Sequence, residues 1–147
     1  MAIYTSYFGQ IKNFPEDAIP IAICGGIPNW YTGAWYKKLA PKWKFFSEWK
    51  ENHDNDFYIK HFKEEVLDNL NPAQVCLELH QMAEQRLYKE HKPTHDIILL
   101  CYEKPDEFCH RHLVADWIND WFKKLGLDEM GAKVEEWNIE ELKERDC

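Results

Sequence analysis

The sequence predicts an α/β fold: a single-domain three-layer sandwich around a mostly parallel, Rossmann-like sheet. Three observations carry that expectation. Ile97 to Leu100 is a continuous branched-aliphatic run, which a strand buried on both faces needs. Ala2 to Phe8 and Ile19 to Cys24 are further apolar runs, and long helical patterns separate Cys24 from Ile97, as parallel strands joined by crossovers require. Leu113, Val114, Trp117, Ile118, Trp121, Phe122 and Leu125 recur every three or four residues and form a stripe suited to packing on a sheet.

Taken in order, Ala2 to Phe8 alternates weakly and reads as the first strand. Ile19 to Cys24 reads as the second and ends at Gly25-Gly26, whose backbone freedom is expected to let the chain turn over the sheet edge. The aromatic segment that follows, broken by Gly33 and Pro41, reads as a long loop with short helical turns. Asp56 to Leu70 is expected to be a helix with Ile59, Phe62, Val66 and Leu70 inward. Asn71-Pro72 pairs a cap with a proline at the first helical position and opens a helix burying Val75, Cys76, Leu79, Met82, Ala83 and Leu87. His91 to His95 leads into the central strand. Pro105-Asp106 then supplies a turn and a cap for the Arg111 helix, which makes Cys109 its third residue. Gly126 and Gly131 frame a turn, Lys133 to Trp137 is a last short strand, and Ile139 to Arg145 a terminal helix or tail.

Residues 1–147 are expected to form one domain, long enough for a real core. No apolar run of about 18 or more residues exists to span a bilayer, and the amino terminus lacks the basic and apolar regions of a signal peptide. A soluble, cytoplasmic protein with no membrane partner is therefore expected. Its cysteines (24, 76, 101, 109 and 147) are odd in number without short repeated spacing, a pattern of free thiols rather than a disulfide framework.

The net charge of −8 opposes a general nucleic-acid coat function. Between Ala18 and Ser47, however, there is no Asp or Glu, while Lys37, Lys38, Lys42 and Lys44 lie there among closely spaced aromatics from Trp30 to Trp49. That basic, aromatic surface suits a small anionic or aromatic ligand, and Trp30 to Lys50 is the stretch through which nucleic acid would bind.

Cys101, Glu103, Cys109, His110 and Arg111 collect where the central strand ends and the next helix begins. In open α/β sheets this edge takes ligands, because helix amino termini present free N–H groups there. Extending the apolar stripe back one turn puts His110 and Arg111 towards the sheet and Cys109 and His112 towards solvent. These five residues are the candidate catalytic set. Cys24, Gly25, Gly26, Pro28 and Trp30, with Arg111, are the candidate substrate-binding set.

The chain resembles the domain of unknown function 488 family. The resemblance rests on Ile3-Tyr4-Thr5, Ile21-Ala22-Ile23-Cys24 with Gly26-Ile27-Pro28, Leu39-Ala40-Pro41, and above all Leu99-Leu100-Cys101-Tyr102-Glu103 with Cys109-His110-Arg111 and Val114-Ala115. It implies a small α/β domain of bacteria, archaea or phage, and leaves the reaction open.

Three functional readings follow from the residues. In the first, an enzyme acts on a small nucleotide-like or anionic substrate: Arg111 holds the anion, His110 is acid or base, and Cys101 or Cys109 is the nucleophile. In the second, the aromatic, lysine-bearing segment belongs to a non-catalytic nucleotide, nucleic-acid or protein-binding module. In the third, Cys101, Cys109 and His110, joined by Cys24 if the second strand neighbours the central one, bind zinc or an iron–sulfur cluster, although no Cys-x-x-Cys or paired His spacing assigns a metal ligand or cofactor. A purely structural reading has Glu103 and Arg111 pinning the turn as an ion pair, His110 bonding a backbone carbonyl, and Cys101 filling space.

Overall fold

Because every residue from Ile97 to Cys101 must be kept from water, this strand belongs in the middle of a sheet, and there it lies. The computed structural model describes residues 2–90, 96–104 and 107–137. Strands β1 (Ile3–Tyr7), β2 (Ile19–Ala22), β3 (Ala34–Trp35), β4 (Ile97–Cys101) and β5 (Val134–Glu136) form a parallel sheet of order β3-β2-β4-β1-β5. Strand β4 is buried at all five positions, with Ile3 opposite Ile97 on one side and Ile19 on the other. The fold is α/β and Rossmann-like, and the sheet is parallel throughout its described strands.

Alternation along the strands divides the core in two. Ile3, Ile19, Ile21, Ile97 and Leu99 pack under helices α1 (Trp43–Asn52), α2 (Asn55–Glu65), α3 (Pro72–Glu90) and α4 (His110–Lys124). On the opposite face, Tyr4, Ala22, Ile98 and Leu100 are covered by Phe8 of a 3-10 turn, Tyr31, Phe14 and Trp137. Among the described residues, no helix is long and apolar enough to cross a membrane.

Several expectations are corrected. The aromatic segment broken by Gly33 and Pro41 is more than a loop with short turns: it contains the parallel edge strand β3 and runs into the ten-residue helix α1. Pro41 precedes that helix instead of interrupting it, and His53, at φ 54°, ends it in the left-handed region. Helix α2 begins one residue earlier than expected, after Asp54, whose carboxylate accepts the Phe57 N–H, and it ends at Glu65. Its inward residues are Tyr58 and Phe62, while Ile59 is 39% exposed. Tyr58 is drawn inward by ring contacts with Phe45, Trp49 and Phe108, at 5.0–5.4 Å between centroids. Leu125, expected in the apolar stripe, is 55% exposed because α4 ends at Lys124 and the chain turns away through a left-handed Gly126.

The Asn71 cap holds, its side chain accepting the Gln74 N–H at 3.2 Å, and Val75, Cys76, Leu79 and Ala83 are buried as expected. The His91–His95 connection, the Pro105-Asp106 turn and the Ile139–Arg145 segment lie outside the described residues.

The one-residue difference in the phase of α2 is testable by urea denaturation. Phe62→Ala is expected to cost about 3–5 kcal/mol and Ile59→Ala less than about 1 kcal/mol. Equal losses would show that the helix faces the sheet with the phase expected from the sequence.

Candidate functional site

The first turn of α4 meets the ends of three strands. Helix α4 starts at His110, so Cys109 is its N-cap residue and not its third residue. An N-cap residue is extended, here at φ −153° and ψ 142°, so its side chain need not follow the helical wheel. Cys109, expected towards solvent, is accordingly buried and faces Cys101 at the end of β4. His112 is half-exposed, as its phase requires.

The expectation of free thiols is corrected at one pair. Cys101 and Cys109 are bridged through their Sγ atoms, whereas Cys24 and Cys76 are free as expected and Cys147 lies outside the described residues. The Cα atoms of Cys101 and Cys109 are 7.5 Å apart. That is wider than the roughly 4.4–6.8 Å usual for bridged cysteines, so the backbone sets two cysteine side chains converging on a shared point.

His110 is buried, and its Nε2 lies 2.7 Å from the carbonyl oxygen of Ile23, just beyond β2. A carbonyl can only accept, so Nε2 carries the proton and Nδ1 keeps its lone pair. Nδ1 is 3.9 Å from Cys109 Sγ. Burial pushes the imidazole pKa down from 6.5 to about 4; the Ile23 bond opposes this, and the charges of Arg111 and His112 add to it. His110 is therefore neutral near pH 7.

Arg111 is fully buried behind the cluster, with its donors directed at protein groups. Nε and Nη2 reach the Glu136 carboxylate of β5 at 3.1–3.2 Å, and Nη1 donates to the Glu103 carbonyl and to Cys101 Sγ, the latter at 3.3 Å. Its carboxylate partner is thus Glu136 and not Glu103. Cys101 Sγ lies 3.4 Å from the Glu103 carboxylate, which accepts its proton once the bridge is reduced to thiols.

These groups form the floor of a cavity of about 710 Å³. Cys24, Gly25, Gly26, Cys101, Glu103, Cys109 and His110 all line it. Pro28 and Trp30 do not: Trp30, 61% exposed, borders a separate cavity of about 270 Å³ beside Tyr31 and Arg86. Arg111 touches the cavity only through the residues it holds. The Cys24 thiol donates to the Gly26 carbonyl at 2.8 Å and is pushed up to about 11, chiefly by burial. Neither Gly25 nor Gly26 has a positive φ, and a Cβ on either would meet nothing within 4 Å, so the expected need for backbone freedom is absent.

The walls supply what sequence reasoning placed only loosely. Trp43, Phe46, Trp49, Tyr58, Tyr102 and Phe108 line the cavity, together with Lys37, Lys42 and Lys50. Lys38, from the same basic stretch, instead pairs with Glu78 at 2.8 Å. Tyr58 was legible only to within one residue of helical phase. Glu136 had one signal, the carboxylate that a buried arginine requires.

A family model described as the active DUF488-N3 subclade matches residues 22–122, which run from the end of β2 to near the end of α4 and include every candidate site residue. The chain belongs to the DUF488-N3a family. No curated protein and no solved structure matches it at a significant level. For this DUF488-N3a protein the matched region omits β1 and β5, and with them Glu136.

Two predictions follow from the burial of His110 and Arg111. Arg111→Ala is expected to destabilise the protein towards the lower end of about 3–5 kcal/mol, since Glu136 retains some access to water. Glu136→Ala should cost at least as much, because it strands a buried cation. Urea titration decides, and an Arg111→Ala protein within about 0.5 kcal/mol of wild type would contradict the account.

The second concerns acid. A histidine whose folded pKa lies below its unfolded value destabilises the fold between the two, because the unfolded chain binds the proton first. Chelator-treated wild type should therefore lose stability, on the order of a few kcal/mol, as pH falls from about 6.5 to about 4. His110→Gln should lack that increment; parallel pH profiles of the two proteins would refute it.

Proposed function

We propose that this DUF488-N3a protein is an enzyme that binds a small, anionic, ring-bearing substrate of nucleotide-like class and reacts with it at the Cys101–Cys109–His110 floor of the cavity. One observation carries the reading: two cysteine sulfurs, thiols when reduced, and a neutral imidazole with a free Nδ1 lone pair line the same cavity as six aromatic rings and three lysines. Buried chemistry and a ligand-sized space coincide.

Each wall then has a role. The rings offer faces on which a planar group stacks, and Lys37, Lys42 and Lys50, opposed by Glu103 alone among the described lining carboxylates, attract the anion. Arg111 acts as a positioning residue: its N–H on Cys101 Sγ favours the thiolate, which is the reactive form of a cysteine. Glu103 is placed to take the Cys101 proton. The description of the subclade as active fits an enzyme.

Tryptophan fluorescence from Trp43 and Trp49, with calorimetry, tests the binding half. A nucleoside 5′-monophosphate should bind at least about tenfold more tightly than its nucleoside. Combining Lys42→Glu with Lys50→Glu should erase that preference, with far-UV circular dichroism unchanged. Failure of both probes to bind at millimolar concentration, or a preference that survives the charge reversal, would overturn the reading. Tight binding without turnover of any bound probe would leave a non-catalytic binding module.

A further inference from the structure

We propose that Cys101, Cys109 and His110 bind one divalent ion of the zinc class through two thiolates and the imidazole Nδ1, leaving a fourth coordination position open to the cavity. The inference deepens the preceding reading by naming how the same floor would act, and it rests on that reading only for the ion's role.

Geometry supplies the first argument. The three donor atoms lie within 4.8 Å of one another, and all three residues are buried yet line the cavity. Donors around a tetrahedral zinc at 2.0–2.3 Å are about 3.3–3.8 Å apart, close to the 3.9 Å between Cys109 Sγ and His110 Nδ1. Cys101 comes from the end of β4, and the other two from the start of α4, so two elements approach the ion from different sides. The 7.5 Å between the cysteine Cα atoms is wider than a bridge needs, so once the bridge is reduced, rotation about the two Cα–Cβ bonds parts the sulfurs enough to admit an ion.

Hydrogen bonding supplies the second. Histidine ligands characteristically donate the far ring N–H to a carbonyl or carboxylate, which fixes the ligating tautomer. Ile23 supplies that carbonyl, and Arg111 donates to the Cys101 sulfur from outside the donor set.

Charge is the third. Arg111 is already matched by Glu136, so two buried thiolates beside a neutral imidazole would be uncompensated. A dication neutralises them. Two thiolates and a histidine are too few for the usual four-cysteine iron–sulfur cluster and match the Cys₂His set of zinc sites that keep a position for water or substrate. Cys24 is excluded, since its thiol is committed to the Gly26 carbonyl.

The binding step balances without redox change: two thiols release two protons to solvent and two sulfur–metal bonds form. Where the cysteines are bridged, a thiol or phosphine reductant first supplies two electrons, and two protons come from solvent.

Cobalt(II) provides the test. Protein reduced with a phosphine and freed of metal by chelator should, on cobalt titration, develop a near-ultraviolet sulfur-to-cobalt band saturating at one ion per chain. Visible bands of tetrahedral intensity should accompany it, and zinc should displace both. Cys101→Ser and Cys109→Ser should each lose most of the band, and Cys76→Ser should keep it. Where a serine variant fails to fold, wild type decides: a thiol-directed mercurial should release one zinc per chain. No sulfur-to-cobalt band in protein with both thiols titratable, or an undiminished band in both folded serine variants, would overturn the proposal. Nucleotide binding is measured separately on metal-free protein. Its failure alongside a normal cobalt spectrum sinks the substrate reading alone, and the reverse pattern sinks the metal site alone.

Discussion

The hydrogen bond from His110 Nε2 to the Ile23 carbonyl is the constraint on which the rest of the site depends. It joins the start of α4 to the end of β2, and Ile23 in turn donates its N–H to Leu100 in β4 at 3.0 Å. With that ring fixed, its neighbours are directed elsewhere: Cys109 towards Cys101 at the end of β4, and Arg111 towards Glu136 in β5. Three consecutive residues thus tie one helical turn to three strand ends. Burying a polar ring and a guanidinium is costly unless both find partners, and here each does.

Sheet order explains why the cavity lies at this point. From β2 the chain moves outward to β3, whereas from β4 it passes through α4 to β5 on the other side of β1. The loops after β2 and β4 therefore diverge, and a crevice opens between neighbouring strands at their carboxyl ends, as expected where the direction of winding reverses. Cys24 to Gly26 border it from one strand and Cys101 to His110 from the other. The α1–α2 aromatics close it from the side, so a sheet-edge crevice becomes a walled cavity.

The parallel sheet, the buried β4 and the inward phase of His110 and Arg111 were legible because each is written in local periodicity. Helix α1 was not: only Phe45 is fully buried, and several of its other rings face the cavity instead of the core, so no clean apolar stripe marks it. Cys109 escaped because an N-cap residue leaves the helical wheel. Glu136, 25 residues from Arg111, is joined to it by the fold alone. Trp30 lies in the aromatic segment but points to a different cavity, a distinction set by the path of the chain between β2 and β3. Cysteine number suggested free thiols, yet it could not show that two strand-to-helix cysteines converge.

The central claim is that a backbone carbonyl holds His110 neutral and turns its Nδ1 lone pair towards the two sulfurs. Nitrogen-15 NMR of selectively labelled histidine in the reduced, metal-free protein at pH 7, assigned with His110→Gln, reads the tautomer directly. A neutral ring with the proton on Nε2, coupled across the hydrogen bond to Ile23, and an unprotonated Nδ1 are expected. A ring protonated on Nδ1, or an imidazolium at that pH, would contradict it.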